Sequence, residues 1–164
     1  MPVAGTTRSE VRPERLGADG WTTAATATAG AGGRFVTTWK PRRSGRTSLR
    51  VVPASAAATV RAASDAGPAR PVTVYRPVTA TWYGPGFFGR RTACGQRLTK
   101  RLLGVAHRTL PCGTRVELYK DGRTITVPVV DRGPFRRGTT YDLTAATAKA
   151  LGMSATTRLG AIAG

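Results

Sequence analysis

Residues 124–130 form a run of mostly apolar and β-branched side chains that stops at a lone acid, Asp131, followed at once by Arg132, Gly133 and Pro134. Stiff β-branched side chains favour an extended backbone, and the Arg-Gly-Pro that follows cannot continue one. The stretch therefore reads as a buried strand that breaks at its end to hold one carboxylate over a sharp turn. Pro128 within the run implies an edge or a bulge there. Asp131 has two readings at this point. It is an ordinary turn aspartate bonding its local backbone, or it is a group with chemistry to perform.

The surrounding half of the chain has the same texture. Val74 and Tyr75, then residues 78–83, read as a strand entering Gly84-Pro85-Gly86. An aromatic and basic loop, Phe87-Phe88-Gly89-Arg90-Arg91, and a turn at residues 92–96 follow. Residues 103–107 are a short strand, and Thr109 to Gly113 another turn. Residues 114–119 alternate as a half-buried strand, and Asp121-Gly122 marks a hairpin tip. Asp142-Leu143-Thr144 opens a helix over residues 145–151, with Thr144 as N-cap and Gly152 as stop. Residues 157–163 close the set. Six or so short strands with one helix in ~90 residues suggest a small closed β-barrel.

The first half is looser. Residues 1–19 read as an unstructured tail: polar, Arg-rich and without periodicity. Residues 20–52 carry three short strand patterns, around Trp21, over Phe35, Thr37 and Trp39, and over Thr47, Leu49 and Val51. They resemble part of an immunoglobulin-like sandwich, or else a loosely ordered tail; a whole sandwich needs about seven strands. Residues 53–72, rich in Ala, Ser, Pro and Arg, read as a linker, which leaves residues 73–164 to the barrel. The missing strands suggest a truncated chain.

The net charge is +18, from 26 Lys and Arg against 8 Asp and Glu. Such a field favours polyanions, whether nucleic acid, anionic lipid or an anionic cell wall. Nucleic acid has charge alone to support it, with no interleaved aromatics on a basic sheet face and no recognised motif. There is no apolar run of 18 residues, so no membrane span is expected, and the first residues do not read as a signal peptide. The two cysteines, Cys94 and Cys112, read as a disulfide in an exported domain and as free thiols in a cytosolic one. With one histidine and no CxxC, neither a metal nor another cofactor is expected.

Six short motifs then fall in order: Ala80-Thr81-Trp82-Tyr83-Gly84, Gly89-Arg90-Arg91-Thr92-Ala93, Ala106-His107-Arg108-Thr109-Leu110-Pro111, Gly113-Thr114-Arg115-Val116, Asp131-Arg132-Gly133-Pro134-Phe135 and Asp142-Leu143-Thr144. Together they resemble the rare lipoprotein A (RlpA) family over residues 78–163. The resemblance implies a mainly β fold, a six-stranded double-psi β-barrel with one or two short helices, related at a distance to expansins and family-45 endoglucanases. It also implies a secreted, monomeric cell-envelope protein that acts on peptidoglycan glycan strands by lytic cleavage, with anionic wall polymers as further partners. The leader expected of such a protein would then lie upstream or have been removed.

Residue by residue, the resemblance makes Asp131 the groove aspartate and His107 the histidine of the family's His-Arg-Thr-Leu-Pro motif. Where the family usually has a glutamate, this chain has Gln96, which can hydrogen-bond a sugar but cannot move a proton. A Cys94–Cys112 bridge would pin the turns beside Gln96 and His107, as in an actinobacterial form of the domain. Tyr83, Phe87, Phe88, Arg132 and Asp142 complete the expected substrate-binding set, although a carboxylate at a helix start reads first as structural for Asp142. Trp82 is another stacking candidate, although successive strand residues face opposite sides and some of these rings must pack inside. His107 equally reads as a packing residue, and Arg90, Arg91, Arg136 and Arg137, flanking the groove, read either as attracting the carboxylates and phosphates of the wall or as solvated loop charges. With Gln96 in place, a one-acid lytic mechanism on Asp131 fits better than two-carboxylate hydrolysis. The alternative is a non-catalytic, expansin-like module that binds or loosens the wall.

Overall fold

The structure is a computed structural model that describes residues 8–54 and 66–164. They fall into two compact units, one ending at Val74 and the other spanning Tyr75–Gly164.

The first unit is one antiparallel sheet of β1 (Ser9–Gly17), β2 (Gly20–Thr23), β3 (Ala27–Ala29), β4 (Gly45–Pro53) and β5 (Arg70–Val74). The strand order is β2-β1-β4-β5, with β3 also paired to β1. The central strand β1 corrects the expectation of an unstructured tail through residue 19. Its charges hide it in the sequence, and cross-strand partners make them tolerable. Glu14 lies directly opposite Arg50 on β4 and bonds it at 2.9 Å. The Arg50 guanidinium in turn lies 4.3 Å from the centre of the Trp21 ring. Pro13 sits mid-strand where the pairing on one side passes from β3 to β2, and the N–H groups of Ala24 and Ala25 converge on its carbonyl at 2.8 and 3.3 Å.

Two further expectations change. Phe35, Thr37 and Trp39 are half-buried between exposed neighbours, as the sequence pattern predicts, but no strand among the described residues pairs with them. Alternation reports a face, and a ladder needs a partner as well. Within the expected linker, residues from Arg70 onward belong to β5, because the Val72 and Val74 of that stretch extend a sheet edge against Thr47 and Gly45. The described strands also form one sheet in place of the expected sandwich segment. Residues 1–7 and 55–65 lie outside the described residues.

The second unit is a closed barrel of β6 (Arg76–Tyr83), β7 (Val105–Ala106), β8 (Arg115–Lys120), β9 (Arg123–Asp131), β10 (Tyr141–Thr144) and β11 (Thr157–Ala163), in the order β10-β6-β11-β8-β9-β7. Two parallel pairs, β6 with β10 and β7 with β9, are joined by antiparallel pairing elsewhere. The inward residues follow the period of two: Val78 and Ala80, Val116 and Leu118, Val127 and Val129, Leu159 and Ala161 all fill the interior. The β8–β9 hairpin turns at Asp121 and Gly122, both with positive φ, as a tight Asp-Gly turn requires. The bulge that Pro128 signals lies one residue on, where Gly113 and Thr114 of the β8 side both bond to Val129.

The one α-helix among the described residues, α1 (Ala145–Ala150), starts at Thr144, whose side chain accepts from the Thr147 N–H. It ends through Gly152 at φ +64°. Asp142 does not open this helix. It lies in strand β10, because residues Tyr141–Thr144 pair in parallel with Ala80 to Tyr83 of β6. No helix among the described residues is long and apolar enough to cross a membrane.

Candidate active site

Strand alternation alone would bury Asp131. Val127 and Val129 point into the barrel, and an unbroken strand would send residue 131 after them. The ladder between β7 and β9 prevents this. Val105 pairs with Val129 but Ala106 pairs with Asp131, so Val130 is an extra residue. Such a bulge turns the following side chain to the other face. Val130 itself is buried against Gly104, where an added Cβ would stand 2.5 Å from a Val130 methyl. Asp131 thereby joins a transverse row on the outer face. Thr81 pairs with Asp142, Asp142 with Ala106, and Ala106 with Asp131. The two aspartates are two strands apart, about 9–10 Å between backbones, with only the small Ala106 between.

Asp131 is held on both oxygens. Oδ1 accepts the backbone N–H groups of Ala93 and Arg132, each at 2.8 Å. Oδ2 accepts the Tyr83 hydroxyl at 3.1 Å. With two N–H donors on Oδ1, Oδ2 is the oxygen that can carry a proton. Burial, then the charge and hydrogen bond of Asp131, push the Tyr83 phenol far above its ordinary value, so Tyr83 stays a donor. Asp142 is half-buried and accepts the Thr81 hydroxyl at 2.8 Å. Its carboxyl is raised, chiefly by burial and further by the charge of Asp131, while the Thr81 bond opposes the rise.

The remaining predicted residues divide. His107 donates its backbone N–H to the Asp131 carbonyl at 3.1 Å. Its Nδ1 accepts the N–H groups of Thr109 and Leu110 at 3.2 and 3.0 Å. Burial first, then Arg108 and Arg132, hold the imidazole below its usual range. The ring is thus neutral, with the proton on Nε2, able to donate there but not to act as a base through Nδ1. Arg132 spends its guanidinium on the scaffold, reaching the His107 carbonyl at 3.4 Å and Cys112 Sγ at 3.3 Å. Gln96 Oε1 accepts the Thr92 hydroxyl at 3.0 Å, which leaves the amide nitrogen as a donor.

The aromatics divide too. Phe87 is exposed and meets Tyr83 edge-on at 6.3 Å. Phe88 packs over Gly84, where a Cβ would stand 2.9 Å from its ring, and serves the fold. Trp82, on the strand face opposite Tyr83, donates to the Ser154 carbonyl at 3.1 Å. One ring escapes the sequence reading as a site candidate: Phe135, 84% exposed in the turn after Asp131. Arg108 anchors that turn, donating to the carbonyls of Pro134, Arg136 and Thr139 at 2.6, 2.9 and 2.8 Å. The Gly-Pro-Phe sequence was its signal, since a large apolar residue directly after a turn has no strand to bury it.

The cysteines form the bridge, Cys94 to Cys112, with Cα atoms 5.7 Å apart. No group of three or more His, Cys, Asp or Glu among the described residues is placed to hold a metal ion.

A six-stranded barrel with two parallel crossings, and a strand-end carboxylate aimed outward from one of them, is a double-psi β-barrel carrying an acidic site. A family model described as "Lytic transglycolase" matches residues 76–163, and the chain belongs to that family. It is similar to the probable endolytic peptidoglycan transglycosylase RlpA of Synechocystis, 51% identical over 76 residues that cover 45% of this chain and 24% of that protein. The protein of the same description from Aquifex aeolicus is also 51% identical over 76 residues, 45% of this chain and 34% of that one. The endolytic peptidoglycan transglycosylase RlpA of Campylobacter jejuni is 41% identical over 78 residues, 46% and 28%. The chain therefore spans about a quarter to a third of these relatives. Among solved structures it is similar to Streptomyces papain inhibitor (SPI), 26% identical over 53% of this chain and 94% of that one, at a TM-score of 0.40, too slight a likeness to bear on the reading.

Proposed function

We propose that the barrel cleaves peptidoglycan glycan strands in the cell envelope by the lytic, transglycosylase route, with Asp131 as the proton-transferring group. The observation that carries this reading is the Asp131 carboxylate, one oxygen locked by two backbone donors and the other facing a tyrosine that keeps its proton. The names of the relatives support the substrate class.

In this reaction the glycosidic bond from C1 breaks as a proton reaches the leaving oxygen. The muramic 6-hydroxyl closes on C1 and returns a proton to the carboxylate. The proton count is restored and no water is consumed, so one carboxyl at Oδ2 suffices. Tyr83 orients Oδ2. Asp142 is the second carboxyl of the outer face and accepts a hydrogen bond from a sugar hydroxyl beside the one it accepts from Thr81. His107 Nε2 and the Gln96 amide donate to sugar hydroxyls, and Phe87 and Phe135 offer ring faces for stacking.

The test is mass spectrometry of purified sacculi digested with the protein. Anhydromuramyl ends are expected. Products heavier by one water would mean hydrolysis by the Asp131 and Asp142 pair. Binding with neither product would mean an expansin-like module.

Asp142 gives an independent prediction. Its folded-state carboxyl is raised, so its contribution to stability is present below the ordinary carboxylate range and lost as pH rises through the folded value. At neutral pH its ionised, half-buried form is a cost. Asp142→Asn keeps the acceptor for Thr81 and cannot ionise. It is expected to raise the melting temperature at pH 7 by on the order of 2 °C, a gain kept small by partial exposure. The gain disappears in acid, and product release falls at both. Melting curves from acid to neutral pH, paired with product assays, check this.

A further inference from the structure

The first unit, outside the family match, carries a cavity of about 900 Å³ whose lining includes Arg15, Lys40, Arg42, Arg43 and Trp39 and, among the described residues, a single acid, Asp19. Among the described residues none of the four cations is in an ion pair, whereas Arg50 of the same sheet is paired to Glu14. A second cavity of about 570 Å³ shares Arg15, Gly17 and Ala18 with the first and adds Arg46. The cations thus line a continuous path over the β1–β2 turn. Four cations against one acid leave the cleft with a net positive field that attracts an anion.

We propose that this cleft binds a polyol-phosphate chain, the phosphodiester polymer of an envelope. Three of the four unpaired cations are arginines, whose forked donors match phosphate oxygens two at a time. The path is too large for a single phosphate and too open to select a compact metabolite, so a polymer that offers a phosphate at each repeat uses all the cations. Nucleic acid offers the same charge. It gains much of its affinity from bases stacked on successive aromatics, and among the described residues Trp39 is the one aromatic in the lining of either cavity. The choice of an envelope polymer rests on the reading that the barrel works at the wall. On that reading the first unit holds the protein in the matrix whose glycan the second unit cuts.

The test uses the full chain and three probes at physiological salt: poly(glycerol phosphate), single-stranded DNA of matched charge, and peptidoglycan fragments stripped of phosphate. Lys40, Arg42 and Arg43 are exposed loop residues, so their combined replacement by alanine leaves the sheet intact. The single variant Arg42→Glu gives a second readout. The control removes the same charge elsewhere: Arg97→Ala, Lys100→Ala and Arg101→Ala, all exposed in the barrel. The cleft variants are expected to lose about tenfold or more in poly(glycerol phosphate) affinity. The slope of affinity against salt should fall by about two to three charges, with less than about a twofold loss in the control. Binding of phosphate-free fragments should not change in either. Equal losses in cleft and control variants would overturn the site in favour of bulk charge. Tighter, cleft-dependent binding of DNA would overturn the polymer assignment. Failure of the barrel reading would instead show as absent binding or cleavage of phosphate-free glycan, with the cleft result standing.

Discussion

Asp131→Asn is expected to cut the release of anhydromuramyl products by about 10²- to 10⁴-fold, the range typical for loss of a positioned acid–base group, while the barrel stays folded. The substitution is close to isosteric. An asparagine Oδ1 still accepts from the Ala93 and Arg132 N–H groups that hold Asp131 at 2.8 Å. The new amide nitrogen faces the Tyr83 hydroxyl, which can accept in place of donating. Only the capacity of the second oxygen to take and give a proton is lost. Alanine would be a poorer probe, since it orphans two backbone donors and confuses chemistry with stability. The measurement is initial product release from sacculi, alongside sedimentation with sacculi for binding and a melting curve for fold. Full product release by Asp131→Asn would remove Asp131 as the acid. A loss of binding equal to the loss of rate would make it a glycan-orienting residue instead.

How far this site could be read in advance depended on what each residue's position rested on. The barrel was legible because Val116 and Leu118, Val127 and Val129, and Leu159 and Ala161 each show the period of two, and Asp121-Gly122 names its own turn. That Asp131 ends a strand was legible too. That it points outward was not, since its face depends on Val130 being skipped by β7, a property of pairing between residues 25 positions apart. Asp142 was misplaced for a related reason. Locally, Asp-Leu-Thr before an alanine-rich run resembles a helix start, and only the parallel partner β6 reveals a strand. In the first unit, β1 was invisible because Arg12, Pro13, Glu14 and Arg15 read as solvated chain until Arg50 and Trp21 are placed beside them. Trp39 and the 40–43 loop come together with Arg15 only in three dimensions, where they line one cavity.

Removing the Cys94–Cys112 bridge is expected to cost both stability and chemistry, and the two losses are separable. The bridge closes a loop of 17 intervening residues, worth roughly 3 kcal/mol in the unfolded ensemble, so Cys94→Ser with Cys112→Ser should lower the melting temperature by about 12–24 °C for a domain of this size. The chemical loss follows from what the two turns hold. On one side, Cys94 follows Ala93, a donor to Asp131 Oδ1, and itself donates to the Val130 carbonyl at 3.3 Å. On the other, Cys112 precedes Gly113, which donates to the Val129 carbonyl at 2.8 Å, and its sulfur lies 3.3 Å from the Arg132 guanidinium. Both turns therefore grip β9 in the two residues before Asp131, and the bridge ties the grips together. Without it the Ala93 turn keeps only its own backbone bonds, and Oδ1 spends part of its time without one of its two donors. Product release by the double variant, assayed well below its melting temperature, should fall by about tenfold, more than the small unfolded fraction explains. Reduced wild-type protein should behave the same way. A folded double-serine variant that releases product at the wild-type rate would show that the bridge only restrains the unfolded chain, and that the Ala93 and Arg132 donors hold Asp131 unaided.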